Sequence, residues 1–306
     1  GTIDNSFTFN INLSGISAIE IQTDGKILAG AFGNYLNNTI VTGGLIRLNS
    51  NGTIDNTFNI GTGSNAPICS IKIQTDGKII IGGQFDSFNG LNRARLLRLN
   101  TDGSVDTSFN NGSGFTINDA CIVYDILIQS DGKIVIGGSL SVYNGSSQGG
   151  LIRLLSDGIF DATFNGGQGV IGTVYSINID SNNKLIIGGN YKGYQKNYLQ
   201  PIRYNKRYLM RLNHDGLIDE NFITVKGFDE KIKTIKLQLD GKLLIGGGYY
   251  SYNRVLRNKL SRLNNNGEID NSFNIGSGFN EEIETIEVTP NGKIFVGGQF
   301  TNFNGN

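Results

Sequence analysis

Five arginines and five aspartates stand at a constant separation of eight residues: Arg47 and Asp55, Arg98 and Asp106, Arg153 and Asp161, Arg211 and Asp219, Arg262 and Asp270. A guanidinium held against a carboxylate invites a catalytic reading. Its recurrence argues instead for scaffolding, because an active site is normally singular. Asp4 is a sixth member without its arginine. The only histidine, His214, falls in a turn between strands, where solvation is its expected state. No His, Cys and carboxylate cluster has metal-ligand spacing, and no nucleophile, base and acid stand together. Asn49 to Asp55 superficially follows a calcium-loop pattern, but the two positions that need acids hold Arg47 and Phe58. The expectation is therefore no enzyme, no catalytic residue, no metal and no cofactor. Cys69 and Cys121 lie out of register near the starts of neighbouring strands. Whether they pair is open in the sequence, and two cysteines do not fix a redox compartment.

The elements that carry these residues repeat. Ile71 and Ile73 alternate with Lys72 and Gln74, the period of two that marks a strand. After Thr75, Asp76 and Gly77 the chain resumes as Ile79, Ile80, Ile81, a β-branched run suited to a buried strand. Gly77 supplies the left-handed residue that closes a three-residue hairpin loop. Gly82 and Gly83 end the second strand, where paired glycines suggest a bulge or close backbone packing. Residues 95–100 and 104–110 form a second hairpin around Thr101 to Gly103, which places Arg98 directly opposite Asp106. One unit is thus four antiparallel segments, A, B, C and D.

The A–B loop ends at Gly25, Gly77, Gly132, Asn183, Gly241 and Gly292, giving six copies spaced 52, 55, 51, 58 and 51 residues apart. Asparagine is the next-best residue for the left-handed conformation. A segment D phenylalanine recurs at Phe7, Phe58, Phe109, Phe164, Phe222 and Phe273. Self-similarity at this period marks solenoids, propellers and arrays. Four short strands per copy without helical periodicity point to an all-β propeller of kelch-like layout with six four-stranded blades, seven in the parent being the alternative. Closure would remove the long unpaired edges of an open array. The chain begins on segment D and stops after segment B, so the expectation is a single domain, 1–306, cut from a longer secreted protein.

Composition agrees. Forty-four glycines, no tryptophan and three prolines suit turn-rich β structure. Charge is balanced, 26 basic against 26 acidic residues, which removes the electrostatic footprint of a nucleic-acid binder. No apolar run is long enough to span a bilayer, so no membrane insertion is expected. Segment A would line a propeller's channel with Glu20, Lys72, Leu127, Asn178, Lys236 and Glu287, a set that makes no metal ring.

The most individual stretch is the B–C connection of the fourth copy. It runs 22 residues from the second glycine to the arginine, against 15 in three other copies. It holds Tyr191, Lys192, Tyr194, Lys196, Tyr198, Arg203, Tyr204, Lys206, Arg207 and Tyr208, and no acid occurs between Asp180 and Asp215. Aromatic and basic residues together are what interfaces and polyanion sites use. Tyr249, Tyr250 and Tyr252 lie in the equivalent loop of the next copy. Short, near-identical turns close A–B and C–D at one end of a blade. The variable B–C and D–A connections gather at the other end, which is the expected binding face. Its anchors are expected to be Tyr194, Tyr198, Arg203 and Tyr204, and the bland alternative is that the tyrosines pad the blade.

The wording Q-T-D-G-K-I-I-I-G-G-Q-F, the F-N-G loop and R-L-N-T-D-G-S-V-D-T-S-F-N resemble the delta-60 repeat family over essentially the whole chain. That resemblance implies a propeller in large secreted or surface proteins of bacteria, with no enzyme activity. The Asn-, Ile- and Lys-rich wording looks like Bacteroidota, where such proteins are often exported by type IX secretion. The expected function is a secreted or cell-surface adhesion module that binds protein or glycan. The alternative is a structural spacer in a large surface or virion-associated assembly, whose partners would be other subunits.

Overall fold

A computed structural model describes residues 6–7, 15–31, 35–36, 39–40, 44–115, 121–164, 169–196, 201–203 and 207–306. Segment A is a strand in all six copies: Ile16–Ile21, Ile68–Ile73, Val123–Ile128, Gly169–Ile179, Ile232–Leu237 and Ile283–Val288. Segment B follows as Ile27–Ala31, Ile79–Gly83, Ile134–Gly138, Leu185–Gln195, Leu243–Gly247 and Ile294–Gly298. In the second copy Ile71 lies opposite Ile81 and Ile73 opposite Ile79. The loop glycines have φ between 80° and 83°, and Asn183 has 58°. The Gly77 N–H donates to the Gln74 carbonyl at 2.9 Å, closing the turn.

The glycine pair faces a bulge. Ile68 is paired with Gly83 and Ser70 with Gly82, leaving Cys69 as the extra residue. A Cβ on Gly83 would lie 2.1 Å from the Pro67 carbonyl oxygen, so the backbones meet where no side chain fits.

Segment C pairs with the other edge of segment B. Leu96–Leu99 sets Arg98 opposite Ile80, and Leu45–Leu48, Leu209–Leu212 and Leu260–Leu263 repeat the arrangement. In the second copy segment B, lying between two strands, is buried throughout: Ile79, Ile80 and Ile81 are all fully enclosed. Truncating one such side chain typically costs ~2–5 kcal/mol.

Segment D departs from the four-stranded expectation. It touches segment C through a single bridge in each of five copies, such as Leu99 with Val105 and Leu212 with Ile218, so the described sheets hold two or three strands. The cause is local. The Asp106 carboxylate accepts hydrogen bonds from the Ser108 N–H at 2.9 Å and the Ser108 hydroxyl at 2.7 Å, and this side-chain turn bends the chain off the ladder. Thr57, Thr163 and Ser272 make the same turn on Asp55, Asp161 and Asp270.

The chain divides into two compact units, Gly1–Ser147 with Arg153–Phe160, and Gln148–Ile152 with Asp161–Asn306. Each holds three A–B hairpins. Within a unit, successive copies are joined through segment A by serines. The Ser17 hydroxyl donates to the Ile68 carbonyl at 2.5 Å, and the Ser70 and Ser176 hydroxyls accept from the N–H groups of Ile126 and Ile235, each at 3.1 Å. Both cysteines are free thiols. Among the described residues there is no helix, so none could cross a membrane.

Candidate binding surface

The recurring charges form a joint in the first, second, fourth and fifth copies. Arg98 Nε donates to Asp106 at 2.7 Å, and Lys78 reaches the same carboxylate oxygen at 2.9 Å. The guanidinium lies 4.7 Å from the Phe109 ring centroid. Its Nη1 donates to the Ser156 carbonyl in the next copy's C–D turn at 2.6 Å. Arg47, Arg211 and Arg262 repeat the ion pair and the ring contact. Lys26, Lys184 and Lys242 repeat the second cation at 2.8–2.9 Å. Arg153 and Asp161 are buried, as are Arg47, Asp55, Arg98 and Asp106.

The environment holds the acids ionised. At Asp106 burial alone would raise the pKa, but the Ser108 hydroxyl, Lys78 and Arg98 outweigh it and hold it well below the ordinary carboxylate range. At Asp55 the Thr57 hydroxyl, and at Asp270 the Lys242 ammonium, lead to the same direction. These groups are committed to one another, as a scaffold requires. Reading by sequence named the arginine and aspartate but missed the lysine, although a Lys follows the A–B loop at 26, 78, 133, 184, 242 and 293.

The segment A polar positions also pair between neighbours. Lys72 meets Glu20 at 3.1 Å and Lys236 meets Glu287 at 2.7 Å. The Asn178 amide donates to the Ile235 carbonyl at 2.9 Å.

The fourth-copy insert is not the loop its length suggested. Segment B continues to Gln195 and pairs with an extended segment A, Gly169 opposite Gln195 and Val170 opposite Tyr194. A bulge at Lys192 interrupts this arm, because Gly172 pairs with Tyr191 and Ile171 with Gly193. Gly172 has φ 127°, and an added Cβ would sit 2.7 Å from the Asn190 oxygen, so the bulge depends on glycine there.

The arm sorts the expected contact residues. Tyr191, Tyr194, Tyr249 and Tyr252 were expected on a partner-binding face; the structure buries all four to within 2 % of full enclosure. Their hydroxyls are spent on backbone carbonyls: Tyr191 on Ile187 at 3.0 Å, Tyr194 on Gly216 at 3.0 Å, Tyr249 on Ile245 at 2.7 Å and Tyr252 on Gly267 at 2.5 Å. Tyr143 reaches the Gly158 carbonyl at 3.3 Å in the same way, so Tyr143, Tyr194 and Tyr252 fill one repeated position beneath the C–D turn. Burial raises the pKa of each of these phenols above the ordinary tyrosine value.

Lys192, Lys196, Arg207 and Tyr250 are exposed. The Lys259 ammonium sits 3.4 Å from the Tyr250 ring centroid and donates to the Gly248 carbonyl at 2.5 Å, fixing that ring. Arg203 is half-buried and gives both guanidinium nitrogens to Glu220, so it is already neutralised. Tyr198, Tyr204 and Lys206 lie outside the described residues. Tyr194, Lys196, Pro201, Arg203, Ile218 and Glu220 line an open cleft of about 520 Å³.

Repeated antiparallel sheets of this kind define an all-β protein of propeller-type repeats. Residues 22–58, 74–109, 129–164, 238–273 and 289–306 match the family described as a domain of unknown function (DUF5122) beta-propeller, and the chain belongs to that family. The fourth copy, with its arm, falls between the matched segments. Among solved structures, the WD40 propeller domain of Doa1 aligns at TM-score 0.54 and 14 % identity, over 92 % of this chain and 74 % of that one. The extracellular domain of a hybrid two-component system from B. thetaiotaomicron aligns at 0.53 and 16 %, over 96 % of this chain and 32 % of that one. PorZ, named as a surface component of the type IX secretion system of Porphyromonas gingivalis, aligns at 0.52 and 12 %, over 92 % and 37 %. This chain spans about a third of each of those two bacterial chains. No curated protein matches it.

Proposed function

We propose that this chain is a non-catalytic binding module of a secreted or surface protein, taking a protein or glycan partner on the face that carries Lys192, Lys196, Arg207 and Tyr250. The carrying observation is the division of labour among like residues. Repeated arginines, lysines and aspartates satisfy one another within the scaffold, whereas Lys192 and Lys196 are exposed and make no hydrogen bond or ion pair with the described residues. Tyr198 and Tyr204 belong to the same proposed face by sequence. Exposed cations and a held aromatic ring suit an acidic or sugar-bearing surface, with a few anchors supplying most of the affinity. The extracellular and surface placement named for the B. thetaiotaomicron domain and for PorZ supports a surface location. The delta-60 wording and export by type IX secretion fit the same reading.

The test replaces Lys192, Lys196, Arg207 and Tyr250 by alanine together. The labelled protein is applied to a glycan array and to fixed bacterial and epithelial cells, after a melting curve shows the fold intact. Loss of attachment supports the reading. Retention of wild-type attachment, or its loss only when the Asp-Gly turn residues are changed, would place the site elsewhere.

A further inference from the structure

One pair of turns departs from the repeat's pattern of glycines. In the second, third and sixth copies the B–C connection turns through Gly90, Gly145 and Gly305, at φ 72°, 77° and 84°, and an added Cβ at each would meet open space. In the fifth copy Arg254 takes this place at φ 70°, a left-handed conformation that a side chain adopts only at a cost. The adjoining D–A connection changes too. Gly61, Gly112 and Gly276 are left-handed there, and an added Cβ would lie 2.7, 2.6 and 2.5 Å from the Oδ1 of Asn89, Asn144 and Asn304. Val225 replaces that glycine on the way into the fifth copy, followed by Lys226 where the others carry Thr62, Ser113 and Ser277.

Both exceptions lie at one tip. The Asn253 N–H donates to the Gly227 carbonyl at 2.9 Å, and its Oδ1 accepts from the N–H groups of Lys226 and Gly227 at 2.8 and 2.9 Å, which stitches the two turns together. Val225 is 71 % exposed, Val255 51 % and Leu256 70 %. This exposure belongs to the position. Leu91 and Asn92, the counterparts of Val255 and Leu256 in the second copy, are also exposed, with the third copy's segment A packed against their own. Cations flank the apolar side chains. Lys226 and Arg254 are exposed, Arg257 is half-buried, and none of the three meets a carboxylate among the described residues. Arg257 donates to the Leu256 carbonyl at 3.0 Å and to Asn271 Oδ1 at 3.4 Å. Asp229, the nearest acid along the chain, is spent on the N–H groups of Tyr250 and Ser251 and on the Ser251 hydroxyl. Glu230 lies against Gly248, at the far end of the connection.

We infer that this tip is a peripheral contact for an anionic lipid bilayer. Val255 and Leu256 are consecutive strand residues, so their side chains leave opposite faces of the hairpin, yet both are more than half exposed. A folded partner covers one face of a two-stranded tip, whereas an acyl layer surrounds both. Val225, Val255 and Leu256 enter the interface and bury apolar surface there. Lys226, Arg254 and Arg257 meet headgroup phosphates, with their apolar stems reaching through the interface. The contact is shallow and spans nothing. Arg254 in a left-handed turn then has a reason: the glycine of the other copies would serve the turn but leave the tip without that charge.

The test is co-sedimentation of the full chain with vesicles of phosphatidylcholine and phosphatidylglycerol in equal parts, and with vesicles of phosphatidylcholine alone. The inference expects saturable binding to the mixed vesicles, about tenfold weaker to the neutral ones and weakened by salt. Val225→Ser, Val255→Ser and Leu256→Ser together should lose about tenfold or more, and a melting curve checks that the fold is kept. Arg254→Gly should weaken binding severalfold without lowering the melting temperature, since it restores the residue that the other copies carry. No binding to mixed vesicles, including the case in which poly-glutamate is bound instead, would overturn the inference. Equal binding to both compositions, or unchanged binding of the serine variant, would do the same. The alanine variant at Lys192, Lys196, Arg207 and Tyr250 should keep its vesicle binding, which separates this contact from the proposed partner face. Loss of vesicle binding in that variant would move the contact to that face and overturn the inference as well.

Discussion

Two arginine–carboxylate pairs in this molecule look alike and do different work. Arg98 and Asp106 are buried, with side-chain exposures of 7 % and 6 %, and are surrounded by Lys78, Ser108, the Phe109 ring and a turn carbonyl of the next copy. Arg203 and Glu220 sit on the arm at 41 % and 59 % exposure and engage each other in the open. The first pair is a joint between copies. The second is a solvated contact whose attraction is offset by screening and side-chain entropy. Residue type and pairing are common to both; enclosure by the copy's hairpins separates them.

The largest break in this comparison should come from Asp106→Ala. It leaves Arg98 buried without its carboxylate, and breaking such a pair costs ~3–5 kcal/mol. Denaturant titration reads this directly, and a loss under ~1 kcal/mol would contradict the assigned joint.

A smaller effect is expected from Tyr194→Phe, which removes the hydroxyl that donates to the Gly216 carbonyl in a buried site. The expected loss is ~1 kcal/mol. Phe88 and Phe303 form the same ladder position as Tyr143 and Tyr252 in other copies, so the ring itself is retained. If Tyr194→Phe instead abolished cell attachment while leaving stability unchanged, the burial assignment would be wrong.

Acid sharpens the contrast. The joint aspartates are held below their ordinary value of 3.8, so their contribution to stability is present above that value and fades as the pH falls below it. Melting temperature should therefore be flat through neutral pH and drop below about pH 4. Asp106→Asn should start lower and lose less over the same acid range. A profile as steep as the parent's would remove Asp106 from the account.

The hairpins and the Arg–Asp register were legible in the residues because both are local. A three-residue loop closed by Gly77 fixes which residues face each other, and Asn183 stands in without changing the geometry. Segment D was not, because the Asp106–Ser108 side-chain turn bends it away after a single bridge. The insert misled for a different reason. Tyr191 and Tyr194 are buried by pairing with Gly169–Thr173, a non-local contact that a count of loop residues does not reveal. A signal was present in the alternation of Tyr191, Lys192, Gly193 and Tyr194, and in the Gly-Val-Ile-Gly-Thr run that pairs with it.

The smallest expected effect belongs to Arg203→Ala and Glu220→Ala, each within ~1 kcal/mol of the parent. That contrast supplies the most direct measurement: parallel double-mutant cycles by denaturant unfolding, one on Arg98 and Asp106, the other on Arg203 and Glu220. A coupling energy of ~1–3 kcal/mol for the first pair and below ~0.5 kcal/mol for the second is the predicted result. Equal couplings, or the larger one on the arm, would contradict the separation of scaffold from surface.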